Sequence, residues 1–181
     1  ILIFDVSISS WSLTSTFTIT CGNTQDVSYL VVDGSNFYYT HRNNAGTQAP
    51  QVSKCSIGTS VATTLSLRVP VVSTIARRII DDGTYLWILD EPTATDASRI
   101  HKVTKSTLTV ASTTSIPTPG SAQVIAKNMV WDGTYFYFLS TFSGNLANYL
   151  GSYAVSMVIF DPVTLAFTTV PLVGCAQPHS S

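Results

Sequence analysis

The chain has 181 residues, a formal net charge of −1, 45% hydrophobic residues and only 10% charged ones. That length accommodates one domain with a sizeable core, and near-neutrality excludes the basic stripe by which proteins hold nucleic acid. The longest apolar stretch, around Ala154–Phe160, falls far short of the roughly 20 residues a membrane-spanning helix needs, so no membrane insertion is expected.

Ser and Thr supply much of the polarity, as in SISSWSLTSTFTIT and VASTTSIPT, and Thr also favours strands. In chain order, Ile1–Thr20 predicts two strands joined by a turn. Three longer segments follow, each built on an Asp-Gly pair: YLVVDGSNFYYT from Tyr29, RIIDDGTYLWIL from Arg78 and NMVWDGTYFYFL from Asn128. Asp33, Asp82 and Asp132 recur with spacings of 49 and 50 residues. In each unit an apolar first strand ends at Asp-Gly, which favours positive φ and a tight reversal. An aromatic second strand follows: Phe37-Tyr38-Tyr39, Leu86-Trp87-Ile88, Phe136-Tyr137-Phe138. Third strands are predicted over Val52–Ile57, Arg99–Val103 and Val155–Asp161, and fourth strands over Thr64–Val69, Leu108–Thr114 and Leu165–Val170. The opening ILIFDVSISSWSLTSTFTI matches MVIFDPVTLAFTTVPLVG from Met157, so it reads as the outer half of a unit.

Strand-only repeats of 40 to 50 residues are the signature of β-propeller blades. The predicted fold is all-β: a propeller segment of four-stranded antiparallel blades, about three and a half in number and not closed on its own. It divides into a half blade over 1–22, blades over 23–70, 71–117 and 118–174, and the start of another over 175–181. The run DGTYLWILD…SRIHKVTKSTLTVASTTSIP resembles surface-layer and NHL-type repeats, and IFDPVTLAFTTV is similar to the Asp-Pro-x-Thr hairpin between their outer strands. This resemblance implies the fold and leaves function open, because propellers host many activities. The chain departs from Trp-Asp repeats, since Trp131-Asp132 opens a hairpin between the first two strands.

Catalytic signatures are sparse. The Asp-Gly aspartates read as caps of their own turns rather than metal ligands. His41, in a loop, His101, in a third strand, and His179, in the tail, have no partner at metal-ligand spacing. Asp90-Glu91 reads as a solvated loop pair, because neighbours on a strand point opposite ways. No catalytic residue, metal or cofactor is assigned. Cys21, Cys55 and Cys175 read as free thiols or packing residues, since equivalent positions three blades apart exceed the roughly 7 Å that a disulfide spans. Arg77, with Lys127 at the aligned position, is a candidate for an anion or a neighbouring carboxylate at the channel mouth.

The Asp-Gly turns lie on one face of the ring and the loops between second and third strands on the other. Those loops, read from His41, Glu91 and Thr141, are long and different in each repeat. Divergent loops on a repeated scaffold are where binding specificity resides. The candidate binding residues are therefore His41, Arg42, Arg77, Glu91, Lys127, Phe142 and Tyr149. The expected function is a non-enzymatic platform for protein, receptor or glycan binding. Its composition resembles phage-tail and virion-surface propellers, which implies an extracellular or virion-surface setting. The expected partners are other protein chains or remaining blades of the same protein, and a cell-surface receptor or glycan. The alternative is an extracellular or periplasmic propeller enzyme of lyase or lactonase type, with its catalytic residues in further blades.

Overall fold

The structure, a computed structural model, describes residues 2–6, 11–16, 24–43, 49–59, 61–68, 74–92, 97–117, 123–143 and 155–172. Those residues are strands and turns. A two-stranded antiparallel sheet of β1 (Leu2–Val6) and β2 (Trp11–Thr16) comes first. The first full blade is β3 (Thr24–Asp33), β4 (Asn36–Asn43), β5 (Pro50–Ser56) and β6 (Ala62–Ser66). The second is β7 (Thr74–Asp81), β8 (Tyr85–Pro92), β9 (Arg99–Thr104) and β10 (Thr109–Ser115). The third is β11 (Gln123–Trp131), β12 (Phe136–Ser143), β13 (Val155–Phe160) and β14 (Phe167–Pro171). Each is a four-stranded meander with every strand antiparallel to its sequence neighbour. The two-stranded sheet and the three four-stranded antiparallel sheets agree with the all-β, blade-like fold read from sequence.

The Asp-Gly turn explains why each blade starts alike. Gly83 and Gly133 stand at φ +97° and +102°, where a side chain would be strained. Asp82 Oδ1 accepts the amides of Thr84 (2.8 Å) and Tyr85 (2.6 Å), and its Oδ2 accepts Trp87 Nε1 (2.7 Å). Asp132 repeats this with Thr134, Tyr135 and the Tyr137 hydroxyl, each at 2.8 Å. These donors hold its carboxyl below the usual range, the Tyr135 amide foremost. Asp33 accepts the Asn36 amide and the Tyr38 hydroxyl at 3.2 Å. Burial, then the Asp33 carboxylate, pushes the Tyr38 phenol up to about 12. The expected turn-capping role of the aspartates is thus what the structure has. In the Asp-Pro-Val-Thr turn, Asp161 likewise accepts the Val163 amide (2.8 Å) and the Thr164 hydroxyl (2.7 Å).

Blades pack face to face and converge on their inner strands: β7 touches both β3 and β11. Because side chains alternate along a strand, the second strand of the middle blade serves two interfaces. In β8, Leu86 and Ile88 pack back onto Tyr38 and Val52 of the first blade. Trp87 and Leu89 pack forward onto Phe136 and Phe138 of the third. The aligned set Phe37, Leu86 and Phe136 is buried throughout, as expected of one of the two aromatic rows. Burying such side chains contributes about 1.5–3 kcal/mol each. On the Asp-Gly face, Lys105 Nζ bridges Asp33 of the first blade (2.9 Å) and Asp81 of its own (2.7 Å).

Three expectations are corrected. His41 is not a loop residue; it lies in β4, fully buried, because that strand continues to Asn43. Asp90 is not solvated: β8 runs through it to Pro92, and it faces the first blade at 0% exposure. The loops between second and third strands accordingly start later than their expected first residues, since β12 too extends to Ser143. Cys55 is a free, buried cysteine, as expected. Cys21, Cys175 and His179 lie outside the described residues.

Candidate functional site

Two groups of polar residues are set by this fold, one along a rim and one inside. The rim is set by topology. In a meander, the ends of the second strands share one side of every blade. Arg42 in β4, Glu91 in β8 and Phe142 in β12 stand at the end of their strands remote from the Asp-Gly turn. Arg77 lies at a bulge in β7, where the register shifts between Ala76 and Arg78. The bulge turns its guanidinium onto the Glu91 carboxylate, with Nε donating to Oε2. This joins two of the expected binding residues in an ion pair that leaves Arg77 about half exposed. Lys127 pairs with Leu139 in β11, where the register shift falls at Asn128, one repeat position later than at Arg77. Arg42 is half-buried opposite Pro50. Tyr149 lies outside the described residues. The structure therefore brings Arg77 and Glu91 into contact, places Arg42, Phe142 and Lys127 by strand position, and withdraws His41 into the interior.

Further along the axis, equivalent positions of the three first strands meet. Tyr29 donates its hydroxyl to Asn128 Oδ1 at 3.3 Å. The Arg78 guanidinium stacks 4.7 Å over the Tyr29 ring and its Nε donates to the Met129 carbonyl at 3.2 Å. Three blades are thus linked by one layer of side chains beneath the rim.

The interior group was not foreseen. Asp90 accepts four hydrogen bonds and uses both oxygens. Arg68 Nε reaches Oδ2 at 2.6 Å and its second guanidinium nitrogen reaches Oδ1 at 2.7 Å. The Arg99 amide donates to Oδ1 and His101 Nε2 meets Oδ2, both at 2.8 Å. His101 Nδ1 lies 3.0 Å from the Thr113 hydroxyl. Burial alone pushes the Asp90 carboxyl up; His101 and Arg68 outweigh it and leave the group below its ordinary value. Arg68 follows β6 of the first blade, so the bidentate pair clamps two blades. The first blade has a neutral counterpart: His41 Nε2 lies 2.7 Å from Ser53 Oγ, which lies 2.6 Å from Thr64 Oγ1. Burial holds the His41 imidazole below its usual value.

His41, Asp90 and Ser140 all lie eight residues after their turn aspartate. A polar residue just after a run of three or four large side chains, at one repeat position in three units, was the available signal for this row. Reading His41 and Asp90 as loop residues concealed it. Among the described residues, no group of three His, Cys, Asp or Glu is placed to hold a metal ion. No family model matches the chain, and comparison with curated proteins finds no match.

Proposed function

We propose that this chain is a non-enzymatic propeller platform that presents the rim carrying Arg42, Glu91 with Arg77, Lys127 and Phe142 to a protein or glycan partner. We further propose that it belongs to a virion tail or cell-surface assembly. The observation that carries this reading is the contrast between the two faces of the blades. On one, Asp82 and Asp132 hold nearly identical minimal turns. On the other, equivalent strand ends carry Arg42, Glu91 and Thr141, which differ in charge and shape from blade to blade. A rigid frame with a variable rim is how repeat scaffolds carry recognition. The buried pairing of Asp90 with Arg68 and His101 also favours binding over catalysis, since both side chains of the His–carboxylate pair are at 0% exposure. The low charged fraction of 10%, with hydroxyl-rich polarity, supports the surface-assembly setting.

The test is binding of the labelled 181-residue chain to an array of immobilised glycans and to intact cells. Arg42→Ala and Glu91→Ala should abolish whatever binding is seen, while Ser35→Ala and Thr84→Ala on the turn face should leave it intact. Loss confined to the Ser35 and Thr84 variants would reverse the assignment of the working face.

A further inference from the structure

The forward face of each blade is built alike. In the first blade it carries Tyr38, Thr40 and Val52, and in the second Trp87, Leu89 and Ile100, all of them buried. The third blade places Tyr137, Leu139 and Met157 at the same register positions, because Leu139 pairs with Met157 as Leu89 pairs with Ile100. There the burial ends: Leu139 is 51% exposed, and Val130, opposite Tyr137 on β11, is 56% exposed. Ile159 stands where the first two blades have Lys54 and Lys102, so this face is more apolar than its two counterparts.

What covers a forward face is visible twice. The second blade seats Ala76, Ile79, Leu86 and Ile88 against the first. The third seats Ala126, Met129, Phe136 and Phe138 against the second. In both, a small residue lies six positions before the turn aspartate and an apolar one three before. Two large apolar residues follow it, four and six positions later. We infer that the open face of the third blade is a docking surface for a further four-stranded blade carrying this pattern, Ala-x-x-apolar-x-x-Asp-Gly-x-x-apolar-x-apolar. Continuity with two existing interfaces favours that occupant. A second copy of this chain is the poorer one. Its own leading blade has Val27 where both interfaces have alanine, and of its other three pattern positions Leu30 is 45% exposed while Phe37 and Tyr39 are already buried at 2%.

The test supplies the occupant. A duplicate of residues 71–117, which carries Ala76, Ile79, Leu86 and Ile88, is appended after Ser181. Maleimide labelling of Leu139→Cys, in a Cys21→Ser/Cys175→Ser background, is compared with and without it. Seating should slow labelling by about tenfold or more. Leu86→Asp with Ile88→Asp in the duplicate alone should restore the fast rate. Unchanged labelling overturns the inference. So does a chain without the duplicate that sediments as a dimer with Leu139→Cys already protected, which would make a second copy the occupant. Neither readout depends on partner binding at the rim.

Discussion

Removing the Asp90 carboxylate should be among the most damaging single changes available to the interface between the first two blades. Asp90→Ala leaves the Arg68 guanidinium, 1% exposed, without its counter-ion and takes an acceptor from both His101 and the Arg99 amide. Breaking a buried ion pair by deleting one partner costs about 3–5 kcal/mol. A domain of this size has about 5–15 kcal/mol in total, so the variant should lie near the edge of folding. Arg68→Ala should cost a similar amount. The double variant should cost less than the two together, with a coupling energy of about 2–3 kcal/mol, because no charge is then left stranded. The assay is urea unfolding followed by tryptophan fluorescence, with Trp87 on the same strand as reporter. Costs that add to within about 0.5 kcal/mol would refute the clamp. The clamp also has an acid limit. Because the folded carboxyl is held below its ordinary value of 3.8, its contribution is complete above that value and is lost as the pH falls through the folded one.

Two further outcomes follow from burial elsewhere. Trp87→Ala should cost about 3–5 kcal/mol, since the ring packs tilted against Phe136 with centroids 5.1 Å apart and holds the Asp82 turn; a melting temperature equal to that of the unsubstituted chain would remove Trp87 from the core. His41 is buried with its imidazole held below the ordinary 6.5, so below that pH the unfolded chain takes up a proton that the folded chain resists, and stability falls with acidity. His41→Gln should flatten the melting-temperature profile between pH 7 and 5, and an unaltered slope would show that His41 does not set it.

The parts of the fold legible in the sequence were those enforced by local chemistry. Asp-Gly recurs at three equivalent positions and fixes the turn: at Asp82 and Asp132 one carboxylate takes two successive amides and an aromatic side-chain donor, and at Asp33 one amide and the Tyr38 hydroxyl. The apolar strands around it fix the blade, and the match between the two ends of the chain located the half blade. The site was less legible. Arg77 was recognised as a cation at the axis, but its pairing with Glu91 depends on a bulge that no residue type announces. His41 and Asp90 were misplaced because a charged or titratable residue after an apolar run reads as the start of a loop. Arg68, 22 residues from Asp90 in sequence, is what makes an interior position tolerable for that carboxylate, and such long-range compensation leaves no local mark.

The position eight residues after the turn aspartate divides the work of the repeat differently from the turn itself. The turn is common to all blades, so by itself it would let blades exchange places. At the eighth position the blades carry His41, Asp90 and Ser140, and the junctions between them are correspondingly distinct. Leu67 and Ile116 make equivalent amide bonds, to the carbonyls of Pro50 and Ser98, at 2.9 Å each. The next residue is Arg68 at the first junction and Pro117 at the second. Arg68 meets the Asp90 carboxylate, whereas in the third blade the Ser140 hydroxyl donates to the Ser156 carbonyl at 3.4 Å. Exchanging the second and third blades would bury the Arg68 guanidinium over Ser140 with no carboxylate within reach, a cost of several kcal/mol. Common turns therefore build the blade, and the blade-specific polar row fixes which blade stands next to which.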